Sequence, residues 1–281
     1  MRKTPCDIHR AMEVRRLAWA GLEINAAGQT AVIDLVEDFS GLHGDNPPAE
    51  ETPSSPKPVT AVAGLLTHLH SDHADIDALG RVLAPTAVVL RPEKGYGSKA
   101  EVALIEKAES ALEMSGLATR VVKPWETVEI GPFSFTALPA ADGFGDPQVS
   151  WCIAADGCRI LHAGDTLFHG WWWLSALRHG PFDVAFLPVG GAVVDLPQRQ
   201  PSSPLPAGMN PKQAAVAAKL LGARTAVPIH YGRLHEASNY VQSDDPPGSF
   251  SAAAAELGIE ARVLRPGDQF SVQTQQRAMG Q

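Results

Sequence analysis

Four residues of types that bind metals lie within six positions of this chain. His68, His70, Asp72 and His73 directly follow residues 59–66, an apolar run whose length is typical of a buried strand. We therefore expect these side chains on the loop that leaves the C-terminal end of a strand, where open α/β sheets build their sites. Imidazole and carboxylate ligands suit zinc, iron or manganese. A purely structural role would bury several titratable groups without partners, at a high cost in free energy.

Two later segments also place polar residues at the ends of apolar strands. Residues 159–166 contain a Gly-Asp-Thr sequence with Asp165 at its centre, and residues 226–232 contain His230 in a Pro-Ile-His-Tyr sequence. Taken in order, the H-x-H-x-D-H motif and these two segments resemble the metallo-β-lactamase superfamily. The Gly-Asp-Thr and Pro-Ile-His-Tyr sequences most resemble the branch that contains ascorbate-phosphate lactonase and related hydrolases.

The resemblance implies an α/β (α+β) fold, a four-layer αββα sandwich. A single domain would span residues 1–281, with its core at about 15–270 and an opening hairpin at 17–35. The residue pattern itself predicts helices at 75–83, 98–114, 211–221 and 249–257, and strands at 86–90, 184–187, 225–229 and 260–264.

By the same resemblance, the chain holds two divalent metal ions, with zinc preferred over manganese or iron, and Asp165 bridges them. The implied ligands are His68 and His70 for the first ion, which we complete with Asp142, and Asp72, His73 and His230 for the second. Two cations that share a water molecule acidify it, so a metal-bound hydroxide would cleave a lactone, ester, amide or phosphodiester bond. Asp72 and Asp165 are then the candidate catalytic residues, and the substrate is a small molecule.

One position departs from the family pattern. The segment that begins at residue 140 reads Ala-Ala-Asp-Gly-Phe-Gly-Asp-Pro and lacks the third histidine of the family. We predict that Asp142 supplies the missing ligand, because carboxylate oxygens bind zinc, manganese and iron. The alternative is a turn residue before Gly143, since Asp-Gly is common in turns. Asp146 is a further candidate in the same segment.

Other residues carry subsidiary hypotheses. Asp34 closes an early strand and is a candidate to accept a hydrogen bond from the outer nitrogen of a ligand histidine, with the alternative of a simple turn residue. His162 and His235 are weaker candidates for such support. Trp171 and Arg233 are candidates for contact with the substrate.

The sequence Trp171-Trp172-Trp173 and two proline-rich segments leave alternatives open. Three adjacent indoles cannot share one face of a helix or strand, so at least one should be exposed, lining a pocket or an oligomer contact. The plainer alternative puts two in the core. Residues 37–58 and 190–209 are either loops that cover the site or surface decoration.

The composition excludes several classes of protein. A net charge of −8 and a pI of about 5.7 argue against nucleic-acid binding, which usually requires a basic surface. No apolar run reaches the ~18 residues of a transmembrane helix, so we expect no membrane span. The start of the chain leads into no apolar segment, and the three cysteines form no disulfide pattern, so a cytoplasmic location is expected. A two-residue turn at 156–157 would pair Ala155 with Cys158 and set Cys152 opposite Leu161.

Other functions remain compatible with the fold that the resemblance implies. An iron-dependent oxidoreductase is one, although diiron members of the family place glutamate where this chain has His70. A protein that binds metal or another ligand without catalysis is a second, and a homo-oligomer is possible in either case.

Overall fold

The described residues of the computed structural model, 11–39, 56–232, 239–272 and 274, form sixteen strands and five helices. The strands are β1 (Glu13–Arg16), β2 (Leu22–Ala26), β3 (Gln29–Ile33), β4 (Ala61–Leu65), β5 (Leu83–Arg91), β6 (Ala118–Val121), β7 (Thr127–Ile130), β8 (Phe133–Pro139), β9 (Val149–Ala155), β10 (Cys158–His162), β11 (Val184–Pro188), β12 (Val193–Val194), β13 (Thr225–Ile229), β14 (Tyr240–Val241), β15 (Glu260–Ala261) and β16 (Gln269–Ser271). The helices are α1 (Ile76–Val82), α2 (Glu106–Ser115), α3 (Trp171–His179), α4 (Pro211–Leu220) and α5 (Pro246–Glu256).

Fourteen of these strands form two seven-stranded sheets. The first sheet has the order β16-β1-β2-β3-β4-β5-β6, and its strands β3 to β6 run parallel. The second has the order β15-β13-β11-β10-β9-β8-β7, with β10, β11, β13 and β15 parallel. Strands β12 and β14 pair with each other in a small separate sheet.

The sheets pack face to face, and helices cover both outer faces. Buried side chains of the first sheet, such as Leu65, form one apolar cluster with Phe135, Trp151 and Phe186 of the second. On the outer face of the first sheet, Val89 shares a cluster with Leu79 of α1 and Leu112 of α2. On the outer face of the second sheet, residues of α3, α4 and α5 pack against Leu161, Ala185 and Leu187. The order of layers is therefore αββα, as predicted.

The helices predicted at 75–83 and 211–221 are present as α1 and α4, and the predicted pairing of β9 with β10 is confirmed. Asn210 caps α4 in a reciprocal capping box with Gln213, and Pro211 is the first helical residue. Asp75 caps α1 through a hydrogen bond from the amide of Ala78. In the hairpin of β9 and β10, Cys158 pairs with Ala155, and Leu161 pairs with Cys152.

The helix predicted at 98–114 starts later than expected. Residues 99–105 form turns, and α2 begins at Glu106. The Glu101 carboxylate does accept a hydrogen bond from the Ser98 amide, as in a capping box. However, the carbonyls of Ala100 and Glu101 accept hydrogen bonds from Arg199, a tertiary contact that local sequence does not reveal. Among the described residues, no helix is long and apolar enough to cross a membrane.

Candidate metal centre

Four strand ends carry the predicted ligands to one edge of the two sheets. The H-x-H-x-D-H motif follows β4, Asp142 follows β8, Asp165 follows β10, and His230 follows β13. Strand β8 is parallel to β10, because both are antiparallel to β9. The first sheet thus contributes the histidine motif, and the second sheet contributes the other three residues.

The side chains from these four loops lie close together. In each of three sets, the potential ligand atoms are all within 4.8 Å of one another. The sets are His68, His70, Asp142 and Asp165; His68, Asp72 and His73; and His73, Asp165 and His230. The first set coincides with the residues implied for the first metal ion, including the bridging Asp165.

Buried atoms of this cluster lack hydrogen-bond partners among the described residues. These atoms are His68 Nε2, His73 Nε2, His230 Nε2 and Asp142 Oδ2. An unsatisfied buried polar atom costs about 1–3 kcal/mol, so four in one cluster need an explanation. Three imidazole nitrogens and a carboxylate oxygen are a suitable donor set for a divalent metal ion. The residues therefore fit the metal site that the motif implies.

Asp34 contacts the ring nitrogen of His73 that faces away from the cluster. Its Oδ2 lies 2.8 Å from His73 Nδ1, and the same carboxylate accepts hydrogen bonds from the amide and hydroxyl of Thr67 at 2.8 and 2.6 Å. With Nδ1 donating to Asp34, the other ring nitrogen, Nε2, is directed into the cluster. Burial lowers the pKa of His73, but Asp72 and Asp34 outweigh it and raise that pKa to about 9.

His70 has a corresponding partner that the sequence analysis considered only as an alternative ligand. Its Nε2 lies 2.9 Å from Asp146 Oδ2, and its Nδ1 lies 3.9 Å from Asp142 Oδ2. Arg199 contacts both oxygens of Asp146, at 3.3 and 3.1 Å. Asp146 thus joins His70 to the 190–209 segment. The signal in the sequence was a second aspartate four residues after Asp142.

The two carboxylate oxygens of Asp142 have different surroundings: one forms the turn contacts considered above, and the other is available for the ligand role, which stays a prediction. Its Oδ1 accepts hydrogen bonds from the amides of Phe144 and Asp146 at 2.7 and 3.0 Å, as a turn residue does. Its Oδ2 is one of the unpartnered atoms in the cluster. Burial raises the pKa of Asp142 to about 6, the direction expected for a carboxylate taken out of water.

Two further supports were not foreseen from the sequence. Trp19 donates its indole N–H to Asp72 Oδ2 at 3.0 Å, and Gln148 donates to Asp165 Oδ1 at 2.9 Å. Both donors come from segments distant in sequence, so no local pattern pointed to them. Burial raises the pKa of Asp72, but His73 and His230 outweigh it and hold that pKa well below its ordinary value.

The remaining candidates are placed as follows. His162 is buried and donates from Nε2 to the carbonyl of Ala20 at 2.7 Å, while its Nδ1 accepts from the Gly164 amide. Neither hydrogen bond is made with a candidate ligand, and Nδ1 is 4.0 Å from the carboxylate of Asp34, the residue that supports His73. Arg233 and His235 lie outside the described residues.

The three tryptophans are in α3, a helix that the sequence analysis did not predict. Only Trp172 is buried, whereas Trp171 and Trp173 are 42% and 56% exposed. The expectation of at least one exposed indole is confirmed, and the alternative with two in the core is wrong. Trp171 packs against His169 and is not among the described residues that line the cavity above the cluster.

A cavity of about 210 Å³ lies over the ligand cluster. His70, Asp72, Asp165 and His230 form its polar part, and the 190–209 segment forms one wall. Tyr240 also lines it, and burial together with Asp72 and Asp165 raises the pKa of its phenol well above the ordinary value. An adjoining cleft of about 830 Å³ shares Phe144 with this cavity.

Comparisons with known proteins agree with this geometry. The family model described as "Beta-lactamase superfamily domain" matches residues 30–231. A UPF0173 metal-dependent hydrolase of Thermococcus onnurineus is 31% identical over 263 residues, which cover 92% of this chain and 98% of the relative.

Two solved structures resemble the fold. Igni18, a metallo hydrolase from Ignicoccus hospitalis, has a TM-score of 0.64 at 17% identity, over 94% of this chain and 100% of that one. CmlA, a diiron β-hydroxylase from Streptomyces venezuelae, has a TM-score of 0.71 at 19% identity, over 97% of this chain and 55% of that one. At such identities the likeness concerns the fold alone. From the family match and the curated relative, the chain belongs to the metallo-β-lactamase superfamily.

Proposed function

We propose that this protein is a hydrolase that depends on two divalent metal ions and cleaves a lactone, ester, amide or phosphodiester bond of a small molecule. The observation that carries the proposal is the convergence of candidate ligands from four loops beneath one cavity, three of which contribute buried ligand atoms without hydrogen-bond partners. The name of the Thermococcus onnurineus relative, a metal-dependent hydrolase, supports the reaction class.

The proposed ligands divide between the two ions as the family resemblance suggests, with Asp165 shared. The first ion would be held by His68, His70 and Asp142, and the second by Asp72, His73 and His230. Zinc is the proposed metal, with manganese or iron as alternatives, because the donor set combines imidazole with carboxylate. When bound, such ions acidify a water molecule and polarise the bond to be cleaved.

The residues of the chain supply position and proton transfer. Trp19 fixes Asp72 at the base of the cavity, and Gln148 fixes Asp165, so both carboxylates keep one orientation. We propose that Asp72, whose carboxylate lies at the base of the cavity, orients the attacking water and accepts its proton. Tyr240 stays protonated beside the two carboxylates and can donate a hydrogen bond to the substrate.

The proposal is tested by removing and restoring metal. Protein dialysed against a chelator should lose hydrolysis of simple esters and phosphodiesters, and zinc or manganese should restore it. In His230→Ala, which lacks one proposed ligand, the same concentration of metal should not restore hydrolysis. Hydrolysis that survives complete metal removal would contradict the proposal.

The same metal-depleted protein can be used to distinguish a hydrolase from an oxidoreductase. An iron-dependent oxidoreductase would consume dioxygen with a reductant only after iron loading, and zinc would not support its activity. We expect no iron-specific oxygen consumption, because His70 occupies the position where diiron members of the family place glutamate.

A further inference from the structure

The cavity above the candidate metal centre has an uneven chemical lining. Asp72, Asp165 and His230 lie at its base, and Ser71, Asn239 and Tyr240 add further polar groups, whereas most of its wall is apolar. The wall residues are Leu104, Phe144, Pro188, Val194, Leu196 and Met209. Small-molecule sites of this kind place the apolar part of a ligand against such a wall and fix the polar part with a few groups. We therefore expect the reacting group of a ligand to lie at the base of the cavity and its apolar part to lie against the wall.

The part of this lining that the structure describes contains histidines but no side chain that is permanently cationic. None of the lining residues is a lysine or an arginine. Arg199 lies in the adjoining cleft, where it is committed to other groups. Its partners are the Asp146 carboxylate and the carbonyls of Ala100, Glu101 and Phe144. A phosphate or carboxylate group in the cavity would thus lack the bidentate arginine partner that such anions commonly use.

Backbone amides around the wall are also engaged. The Gly191 amide donates to the Met209 carbonyl at 3.1 Å, and the Met209 amide donates to the Thr166 carbonyl at 3.2 Å. The Ala207 amide donates to the Ala192 carbonyl at 2.8 Å. Free amides that converge on one point make an anion site, and these three are not available for one.

We propose that the substrate is an uncharged lactone, ester or amide whose acyl part carries an apolar chain, which lies against this wall. The inference rests on the proposed hydrolase function and narrows it. In the reaction, water adds to the acyl carbon, and the acyl–oxygen or acyl–nitrogen bond breaks. One proton of the water passes to the leaving group, and the carboxylic acid product releases another at neutral pH.

The test compares acyl groups on one leaving group. Zinc-loaded enzyme is assayed with 4-nitrophenyl acetate, butyrate and hemisuccinate, with metal-free enzyme as the blank. Two additional methylenes against the wall should raise kcat/KM from acetate to butyrate by about tenfold. Hemisuccinate replaces the terminal methyl of butyrate by a carboxylate, and its kcat/KM should be at least about tenfold below that of butyrate, because the wall desolvates the charge without pairing it.

A positive charge placed on the wall should weaken this preference. Leu196→Lys puts an ammonium group on the cavity wall and should lower the butyrate-to-hemisuccinate ratio by about tenfold. The matched control is Leu177→Lys on α3, where the side chain is 82% exposed and does not line the cavity. The control should keep the wild-type ratio.

Other outcomes distinguish failure of this inference from failure of the hydrolase proposal. A metal-dependent kcat/KM that is higher for hemisuccinate, or for bis(4-nitrophenyl) phosphate, than for butyrate would overturn the inference and leave the enzyme a hydrolase. Arg233, which lies outside the described residues, is checked with Arg233→Ala; a hemisuccinate preference that needs Arg233 would overturn the inference as well.

Binding provides the same comparison without turnover. Calorimetry on the zinc-loaded enzyme with 2-pentanone and levulinate, two ketones that differ by the same methyl-to-carboxylate change and contain no hydrolysable bond, should show tighter binding of 2-pentanone. If no ester is hydrolysed but 2-pentanone is preferred, the hydrolase proposal fails and the preference of the cavity is supported. Tighter binding of levulinate would overturn the inference whatever the turnover.

Discussion

The two carboxylate oxygens of Asp142 have different surroundings, and substitution can separate their roles. In Asp142→Asn, the remaining oxygen can still accept from the amides of Phe144 and Asp146, but the buried Oδ2 is lost. We expect this variant to lose metal from the first site. Without metal it should be at least as stable as the wild type, because a buried carboxylate that burial disfavours is gone.

Asp142→Ala is the matched comparison. It removes both oxygens, so it should bind metal as poorly as Asp142→Asn and be less stable by about 1 kcal/mol through the lost turn hydrogen bonds. Urea denaturation of the metal-free proteins and elemental analysis of the reconstituted ones measure the two effects. Full metal content in Asp142→Asn would refute the ligand role.

A second prediction at the scale of residues concerns the contacts of Asp146 with His70 and Arg199. Outer partners of ligand histidines typically contribute 10–100-fold to metal affinity. Asp146→Asn should therefore weaken metal binding by about that factor, and Arg199→Met should have a smaller effect that nearly vanishes in the Asp146→Asn background. Chelator competition gives the affinities, and the absorption spectrum of cobalt-loaded protein reports the ligand geometry.

The control for this prediction lies in the same segment. Asp195 is an exposed carboxylate bonded to Gln200 and Ser202, with no contact to the candidate ligands among the described residues. Asp195→Asn should bind metal as the wild type does. Equal metal affinities for Asp146→Asn and Asp195→Asn would show that the Asp146 contact does not support His70.

At the scale of elements, the close approach of two glycines holds the loops that carry the ligands. A Cβ on Gly190 would lie 2.7 Å from the His230 carbonyl, and one on Gly208 would lie 2.8 Å from the Asp165 carbonyl. Gly190→Ala or Gly208→Ala should displace these loops and lower kcat/KM at least about tenfold, since small misplacements of catalytic groups are costly.

Gly80→Ala provides the control for these substitutions. It lies in α1 with no atom within 4 Å of its added Cβ, so it should keep full activity and gain roughly 0.5–1 kcal/mol of stability. Steady-state kinetics together with metal content measure the outcome. Wild-type kcat/KM in both site variants would show that the close packing of these loops is not needed.

The elements also show what local sequence could predict. The capped helix α4 was predicted well because Asn210 and Pro211 mark its start through local chemistry. The start of α2 was predicted about eight residues too early, since the bonds from Arg199 to Ala100 and Glu101 depend on the folded chain. Similarly, the candidate ligands follow short apolar strands and were found from sequence, whereas Trp19 and Gln148 meet the site only through tertiary packing.

For the whole molecule, the candidate ligands come from both sheets, so bound metal should join the two halves of the sandwich. A ligand at about 1,000 times its Kd stabilises the native state by ~4 kcal/mol, which corresponds to roughly 8–16 °C in Tm for a chain of this size. Differential scanning calorimetry with and without chelator should show such a drop. His230→Ala should show a clearly smaller one, and equal Tm values for the metal-free and metal-loaded wild type would contradict the expectation.

The order of the four layers was harder to predict from individual residues than the candidate site was. The apolar runs of β4, β11 and β13 indicate buried strands, but nothing local states which strands share a sheet. The four-layer order followed from the family resemblance, and the apolar cluster between the sheets confirms it. The motif at 68–73 was informative because its chemistry is local, whereas sheet order depends on pairings between residues far apart in sequence.

The most direct test of the account is the number of metal ions per chain. Protein purified without a metal-binding tag, reconstituted with zinc or manganese and freed of excess metal, is measured by elemental analysis. We expect about two equivalents in the wild type and fewer in Asp142→Asn. One equivalent in the wild type would contradict the dinuclear assignment, and none after reconstitution would contradict the metal centre itself.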